Sequence, residues 1–314
     1  NTRDAATSIY HRMIDPFIDY DIRILSNNMI PEHRRQVLDE VKEKVKTEKM
    51  LVISTQLIEA GVDISFEGVI RSLAGLDSIA QAAGRCNRNG TGKLGEVWLV
   101  RLDKDLENTE RMEDIKTAQE TMSALLEDYA RYPEKYGNDL MSKEALEFYF
   151  KVYLEKTIKK AGYPFTYGSY EKANKLEALE LLTYNRHGIN AYKGMNHGKR
   201  PMHLLNQAFH TVGVNYKPIE EQGVSVLVPW GEGEEIIIKL NSDMGLFEKK
   251  RLLSEASRYS LQINNYKYCQ MKEKGIIRMI QDDIPVLMRD YYTEIGLVTK
   301  DKLSSEGWKK NYMF

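Results

Sequence analysis

The 314-residue sequence is short of several things, and each shortage excludes something. It has only two cysteines, Cys86 and Cys269, far apart along the chain. That rules out a disulfide framework or a cysteine zinc site and fits a reducing, cytoplasmic compartment. No apolar stretch approaches the roughly 20 residues that a membrane span needs; Val224–Val228, for instance, is strand-sized and stops at Pro229. No charge of one sign dominates, with 45 Lys+Arg against 46 Asp+Glu. Binding to a polyanion must therefore come from a local surface and not from bulk charge. No secretory signal, internal repeat or low-complexity segment is visible in these residues.

What is present suggests two domains, at about 150 residues each. The chain opens on Asn1, and Asn1–Ala5 reads as the end of something already in progress. It is expected to be the C-terminal part of a longer protein. Residues 1–102 alternate helix and strand patterns: a helix over Arg3–Ile14, a strand at Ile22–Leu25, and a helix opened by Pro31 and Glu32 with Val37, Leu38, Val41 and Val45 as its apolar stripe. Met50–Ile53 reads as a buried strand, Phe66–Ile70 as a weaker one, Asp77–Asn87 as a helix, and Val97–Val100 as another buried strand. This alternation predicts a doubly wound α/β domain. Residues 103–210 read as a helical connector whose stretch 186–202 is a basic, Gly-rich loop. Residues 211–314 read as a smaller mixed α+β domain with strands at Val224–Val228, Ile236–Leu240 and Arg258–Ile263, the first two joined as a hairpin across Gly231–Glu235.

Two stretches carry chemistry. In Ser54–Ile64, Thr55 directly follows a buried strand, where open α/β sheets bind ligands. Its hydroxyl and the following amides suit a phosphate. Gly61 allows close backbone approach, and Asp63 can accept bonds from a sugar hydroxyl. In Gln81–Gly90, a helical reading at 100° per residue puts Gln81, Arg85 and Arg88 within about 60° of one stripe. Two guanidiniums so close repel unless an anion lies between them, and a triphosphate matches the arginine fork. An isolated Arg-x-x-Arg is usually a pair of solvated helix charges; the company of Thr55, Gly61 and Asp63 argues against that here.

Both stretches resemble motifs V and VI of superfamily 2 helicases, and Asn1, Thr2 and Ala5 resemble motif IV. The forms Ile58–Ile64 and Gln81–Gly90, with Leu73–Ala80 and Asn28–Arg34, are most similar to the CRISPR-associated helicase–nucleases of type I systems. The resemblance covers about the first hundred residues; the rest matches only in layout. It implies a RecA-like parallel sheet with flanking helices, one of two motor domains that bind ATP with Mg2+ in the cleft between them. Such a motor runs along single-stranded DNA and feeds an attached metal-dependent nuclease, at a target delivered by an RNA-guided surveillance complex. Carried onto this sequence, Arg85 and Arg88 would contact the γ-phosphate with Gln81 beside them. Gly61 and Asp63 would lie near the nucleotide sugar, Thr55 would contact a DNA phosphate, and Thr2 is a further DNA candidate.

The sequence has no G-x-x-x-x-G-K-[ST] loop, since Gly92-Lys93-Leu94 and Gly198-Lys199-Arg200 both lack the hydroxyl residue. It also has no DExH or DEAD box and no adjacent His-Asp pair. Half an ATPase site and no nuclease site are therefore expected here, the remainder lying in the first motor and nuclease domains of the same protein. The alternatives are a non-enzymatic module that docks DNA or the surveillance complex, or a fragment of another superfamily 2 helicase. Lys199 and Arg200, within the basic segment Gly194–His203, either hold a DNA phosphate or belong to a solvated connector. Asp282-Asp283 reads as the end of a strand before a turn. Tyr266, Tyr268, Tyr291 and Tyr292 either pack, stack on bases or line a partner surface.

Overall fold

Thr2 starts the first helix. Its Oγ1 accepts the Ala5 amide (3.1 Å), a cap on helix α1, Arg3–Ile14. In the computed structural model, which describes residues 1–298 except 18, 60, 91–93, 159–163, 168–173, 202–206, 217–222, 243 and 282, the next elements follow the apolar pattern closely. Strand β1 is Asp21–Leu25, helix α2 Pro31–Lys44 and strand β2 Met50–Ser54. β1 and β2 pair in parallel, with Ile24 opposite Ile53. Val37 and Val41 of α2 close over Ile24, Leu25 and Ile53 in one buried cluster, joined by Ala6 of α1.

Strand β3 (Gly68–Ser72), helix α3 (Leu76–Ala83) and strand β4 (Glu96–Val100) form a second parallel unit. Two expectations change here. β4 is not buried: Ile70 and Trp98 sit opposite each other in register and are 72% and 61% exposed. The helix expected to reach Asn87 stops at Ala83. Gly84 caps it, donating to Ala80 O, and residues 85–87 then turn to pair with Phe66. Asn87 takes a left-handed conformation (φ 47°), which a continuing helix forbids.

Helix α4 (Glu113–Arg131) follows. By contacts the chain divides into Asn1–Ser142 with Gln222–Phe314, and Lys143–Glu221. The sequence boundaries at 102 and 210 follow composition and remain a proposal about organisation. The unit Lys143–Glu221 holds helix α5 (Lys143–Thr157), an antiparallel hairpin of β5 (Pro164–Tyr167) and β6 (Asn174–Glu177), and helices α6 (Ala178–Leu182), α7 (Arg186–Met195) and α8 (Phe209–Asn215). The stretch read as a basic loop is thus largely α7. Asn185 nucleates it, its side chain accepting the Gly188 amide at 3.0 Å, which offsets the poor propensity of Gly188 and Gly194.

After residue 222 come β7 (Val224–Leu227), α9 (Gly233–Leu240), α10 (Leu246–Ala256), β8 (Ser260–Ile263), α11 (Asn265–Glu273), β9 (Ile277–Ile280) and β10 (Ile284–Leu287), closed by the short strands β11 (Tyr292–Thr293) and β12 (Gly296–Leu297). Four strands make one mixed sheet in the order β8-β7-β10-β9, with only β7 and β10 parallel. The segment expected as a strand over Ile236–Leu240 is helical. Glu234 and Glu235 occupy its first turn, and Ile236, Ile237 and Leu240 bury one face of it. Asp283 lies in the turn between β9 and β10 and not at the end of a sequence-predicted strand; Asp282, His203 and Gly92-Lys93 fall outside the described residues. No described helix is long and apolar enough to cross a membrane.

The segment Tyr292–Leu297 stitches the first and last described segments together. Ile30 belongs to the C-terminal core, while Ile295 belongs to the core under β1 and β2. The Tyr292 hydroxyl accepts the Ile30 amide (2.8 Å) and lies 3.1 Å from His33 Nδ1, whose ring stacks on Trp230 at 4.4 Å. Tyr292 is therefore a packing residue. Tyr268 also packs on this core, and Tyr266 is 76% exposed.

Burial pushes His33 down from its ordinary 6.5 to about 4, so the fold holds the ring neutral. The unfolded chain takes up a proton below pH 6.5 while the folded chain does not. The contribution is complete above pH 6.5 and lost as pH falls toward 4, worth roughly 2–3 kcal/mol. A urea series between pH 7 and pH 4 is expected to show this acid limb, and His33→Gln is expected to make it shallower, with His11, which burial also pushes down to about 4, keeping its own share. A limb of equal depth in the variant would assign the loss to other groups.

Candidate nucleotide and nucleic-acid site

The loop leaving the carboxyl end of β2 collects most of the charged residues at issue. Thr55 stays on the sheet edge, its amide donating to Leu25 O at 3.1 Å. A single 3-10 turn, Gln56–Ile58, follows, then an irregular path through Gly61 and Asp63 to Ser65. Gly61 has φ +74°, which explains glycine there, and nothing lies within 4 Å of the space its missing Cβ would fill.

The segment after α3 folds onto that loop. Arg85 is 7% exposed, and its Nη2 donates to Glu59 O (2.8 Å) while Nη1 donates to Val62 O. Arg88 takes the other direction. Its amide donates to Ser65 Oγ (2.9 Å), its Nε to Asp63 Oδ1 (2.8 Å), and its side chain stays 40% exposed. Gln81 is exposed on α3. The common stripe is therefore absent, because the helix ends before either arginine. Arg85, Arg88, Gly61 and Asp63 are nonetheless brought together, by bonds across the loop and not by helical spacing.

Thr55 is 9% exposed, and its buried Oγ1 has no hydrogen-bond partner among the described residues, an uncommon state for a hydroxyl. A depression of about 270 Å³ opens between α2 and the 3-10 turn, with Arg34, Arg35 and Lys42 around Leu25 and Leu57. Asp39 accepts ion pairs from Arg35 (3.2 Å) and Lys42 (3.5 Å), and Arg34 donates to Asn27 Oδ1 (2.8 Å). Thr2 uses its hydroxyl for the cap of α1. Lys199 and Arg200 are exposed just beyond α7, in the unit Lys143–Glu221.

Sequence reasoning missed Glu59, Arg71 and Ser78. Arg71 Nη2 lies 2.9 Å from Glu59 Oε1 and donates to Ser78 Oγ (2.8 Å), and the Ser78 hydroxyl is 2.9 and 2.8 Å from the two Glu59 oxygens. The side chains of Arg71 and Glu59 are only 11% and 9% exposed. The one available signal was a glutamate placed two residues before the glycine of a loop otherwise rich in apolar residues. Among the described residues, no group of three or more His, Cys, Asp or Glu side chains is gathered to hold a metal ion.

The sequence comparisons with known proteins bear on the first third of the chain. Residues 1–91 match the family model described as the C-terminal part of the CRISPR-associated nuclease/helicase Cas3. Over 96 residues the chain is 42% identical to the CRISPR-associated nuclease/helicase Cas3 of Haloferax volcanii, which covers 29% of this chain and 10% of that protein. It is 37% identical over 90 residues to the Cas3 of Methanothermobacter thermautotrophicus, 28% of this chain and 10% of that one. The crystal structures of T. fusca Cas3-AMPPNP and Cas3-ATP share its fold, with TM-scores of 0.53 and 0.51 at 13% and 14% identity, each over 91% of this chain and 35% of theirs. The chain thus spans about a third of those structures, and its matched segment about a tenth of the curated relatives. These matches do not favour a non-enzymatic docking module or another superfamily 2 helicase.

Proposed function

We propose, taking as premise that residues 1–91 form a Cas3-like C-terminal domain, that this chain supplies the arginine-bearing half of an ATP-dependent motor that translocates on single-stranded DNA. The observation that carries the reading is the docking of residues 85–88 on the loop leaving β2, which leaves Arg88 exposed with its Nε fixed by Asp63. A guanidinium held at one nitrogen keeps its terminal fork oriented, and that fork matches the oxygens of a γ-phosphate. As the bond to the leaving phosphate lengthens, charge spreads over the transferred group's oxygens, and a cation placed there lowers the barrier. Gln81 is also exposed, on α3, and in this reading Gly61 and Asp63 border the path of the nucleotide sugar.

The Thr55 hydroxyl, buried without a partner among the described residues, supports a DNA-phosphate contact at the end of β2, and the cations Arg34, Arg35 and Lys42 around the depression on α2 support a phosphate path there. Thr2, already committed as a cap, is a weaker contact, and Lys199 and Arg200, in the unit Lys143–Glu221, are separate candidates for holding a DNA phosphate. ATP hydrolysis at one end of the loop and DNA at the other give the coupling that a translocase needs. The nuclease, the first motor domain and the docking on an RNA-guided surveillance complex belong to the complete protein, acting in the cytoplasm against foreign DNA in type I CRISPR interference. The Mg2+ expected with ATP would be held mainly by the first motor domain; among the described residues of this chain no set of three or more His, Cys, Asp or Glu side chains is gathered for it.

The 314-residue chain alone is expected to hydrolyse no ATP, with or without single-stranded DNA, because the sequence has no phosphate loop. The test is phosphate release by the purified chain against a complete Cas3-type polypeptide that includes it. DNA-stimulated turnover by the isolated chain would overturn the half-site assignment.

A further inference from the structure

We propose that the hairpin β11–β12, together with Trp230, clamps the β1–α2 turn and so sets the DNA grip of Arg34, which makes Tyr292 a positioning residue for DNA binding. The role of Arg34 rests on the function proposed above; the clamp rests on geometry. Residues 26–30 form neither helix nor strand, and α2 begins without a side-chain cap. Pro31 has no amide to offer, and the amide of the fully buried Ile30 finds its acceptor in the Tyr292 hydroxyl, 262 residues further on. That hydroxyl has one proton to give, and His33 Nδ1 (3.1 Å) accepts it when the neutral ring carries its own proton on Nε2. Trp230 stacks on the His33 ring and meets Tyr292 edge-on at 5.3 Å. Two residues earlier than Ile30, Asn28 O accepts the Leu297 amide at 2.7 Å, and Gly296 lies against the same carbonyl. Tyr292 and Leu297 belong to the C-terminal core and Ile295 to the core under β1 and β2, so the hairpin is anchored on both sides of the turn it holds. Arg34 follows His33 directly, and its Nη1 donates to Asn27 Oδ1 (2.8 Å), inside the clamped turn. Of the three cations around the depression on α2, Arg35 is paired with Glu32 and Asp39, and Lys42 with Asp39. Arg34 has no carboxylate within 4 Å among the described residues, so its charge is the one left for an incoming phosphate, aimed by a neutral amide. A shift of the turn would carry that guanidinium with it.

Two variants loosen the clamp by different routes. Tyr292→Phe deletes the hydroxyl and keeps the ring; Trp230→Leu removes the stack on His33 and keeps an apolar group on the core. In the 314-residue chain both are expected to speed amide hydrogen exchange over residues 28–34 about tenfold. Exchange in β2 and α4 should stay at the wild-type rate, which also checks that the variants fold. In a complete motor, each is expected to raise the DNA concentration for half-maximal ATPase about fivefold, with turnover at saturating DNA within about twofold of wild type. A grip set through Arg34 also demands non-additivity. Arg34→Gln should itself raise the DNA requirement about tenfold, and Tyr292→Phe should add less than about twofold in that background. Unchanged exchange over residues 28–34 in both clamp variants would overturn the clamp. Faster exchange with an unchanged DNA requirement, or a full further loss in the Arg34→Gln background, would overturn its part in the DNA grip. If Arg34→Gln leaves the DNA requirement unchanged while exchange still quickens in the clamp variants, the DNA path along α2 falls and the clamp stands.

Discussion

Alanine at position 88 is expected to lower DNA-stimulated ATP turnover about 10³-fold or more in a protein holding both motor halves, while leaving the fold intact. The size follows from what a cation at the transferred phosphoryl group is worth, about 10³–10⁵ in rate. The intact fold follows from burial. The side chain is 40% exposed and fills no core, so its removal should change stability by no more than about 0.5 kcal/mol. Lysine should not rescue, since it has no Nε to meet Asp63 and no planar fork. Asp63→Ala should do less damage than Arg88→Ala, because Asp63 orients the guanidinium and Ser65 still holds the backbone of residue 88. The measurement is steady-state phosphate release at saturating ATP and DNA, beside a thermal melt. Turnover within a few-fold of wild type would show that Arg88 does not serve the reaction.

Gly296→Ala is expected to destabilise the chain by about 3 kcal/mol or more, the largest single stability loss foreseen here. Two effects add. Gly296 sits at φ +89°, a backbone region L residues rarely enter, and its Cβ would lie 2.3 Å from Asn28 O and 2.5 Å from Asn28 C. Both are backbone atoms, and the neighbouring Leu297 amide already donates to Asn28 O at 2.7 Å, so neither side can yield. The clash falls where the C-terminal segment crosses the β1–α2 turn, with Tyr292 on Ile30 and His33 and with Ile295 in the N-terminal core. Gly137→Ala is the control, with φ +61° and open space around its Cβ, and should cost about 1 kcal/mol. Urea unfolding of the two variants separates strain from collision. Equal losses would mean that the Asn28 contact is not tight.

The elements with strong local signals were legible before any coordinates. α1 was legible from its apolar spacing, α2 from Pro31 and its valine stripe, and β2 from its continuous apolar run. Where local signals conflicted, tertiary contacts decided. Ile236-Ile237-Ile238 suits a strand by β-branching, yet Gly233 nestles against Val228 O and Tyr259, and only a helix buries Ile236, Ile237 and Leu240 together. The end of α3 turned on Gly84 and on pairing with Phe66, a partner some twenty residues earlier in the chain. At the site, the residue types were legible and their arrangement was not. Arg85, Arg88, Gly61 and Asp63 were marked by spacing alone. The Glu59–Arg71–Ser78 network and the inward turn of Arg85 depend on strands and helices meeting across the sheet, which no local pattern encodes.

In the proposed motor, the γ-phosphate of ATP meets this chain at Arg88. Photolabelling a complete motor with an ATP analogue carrying a short aryl azide on the γ-phosphate, then mapping the modified peptide, tests it most directly. The account predicts label within residues 81–90, suppressed by excess ATP and absent when the isolated chain is labelled. Label confined to other segments of the protein, with residues 81–90 unmodified at saturating analogue, would contradict it.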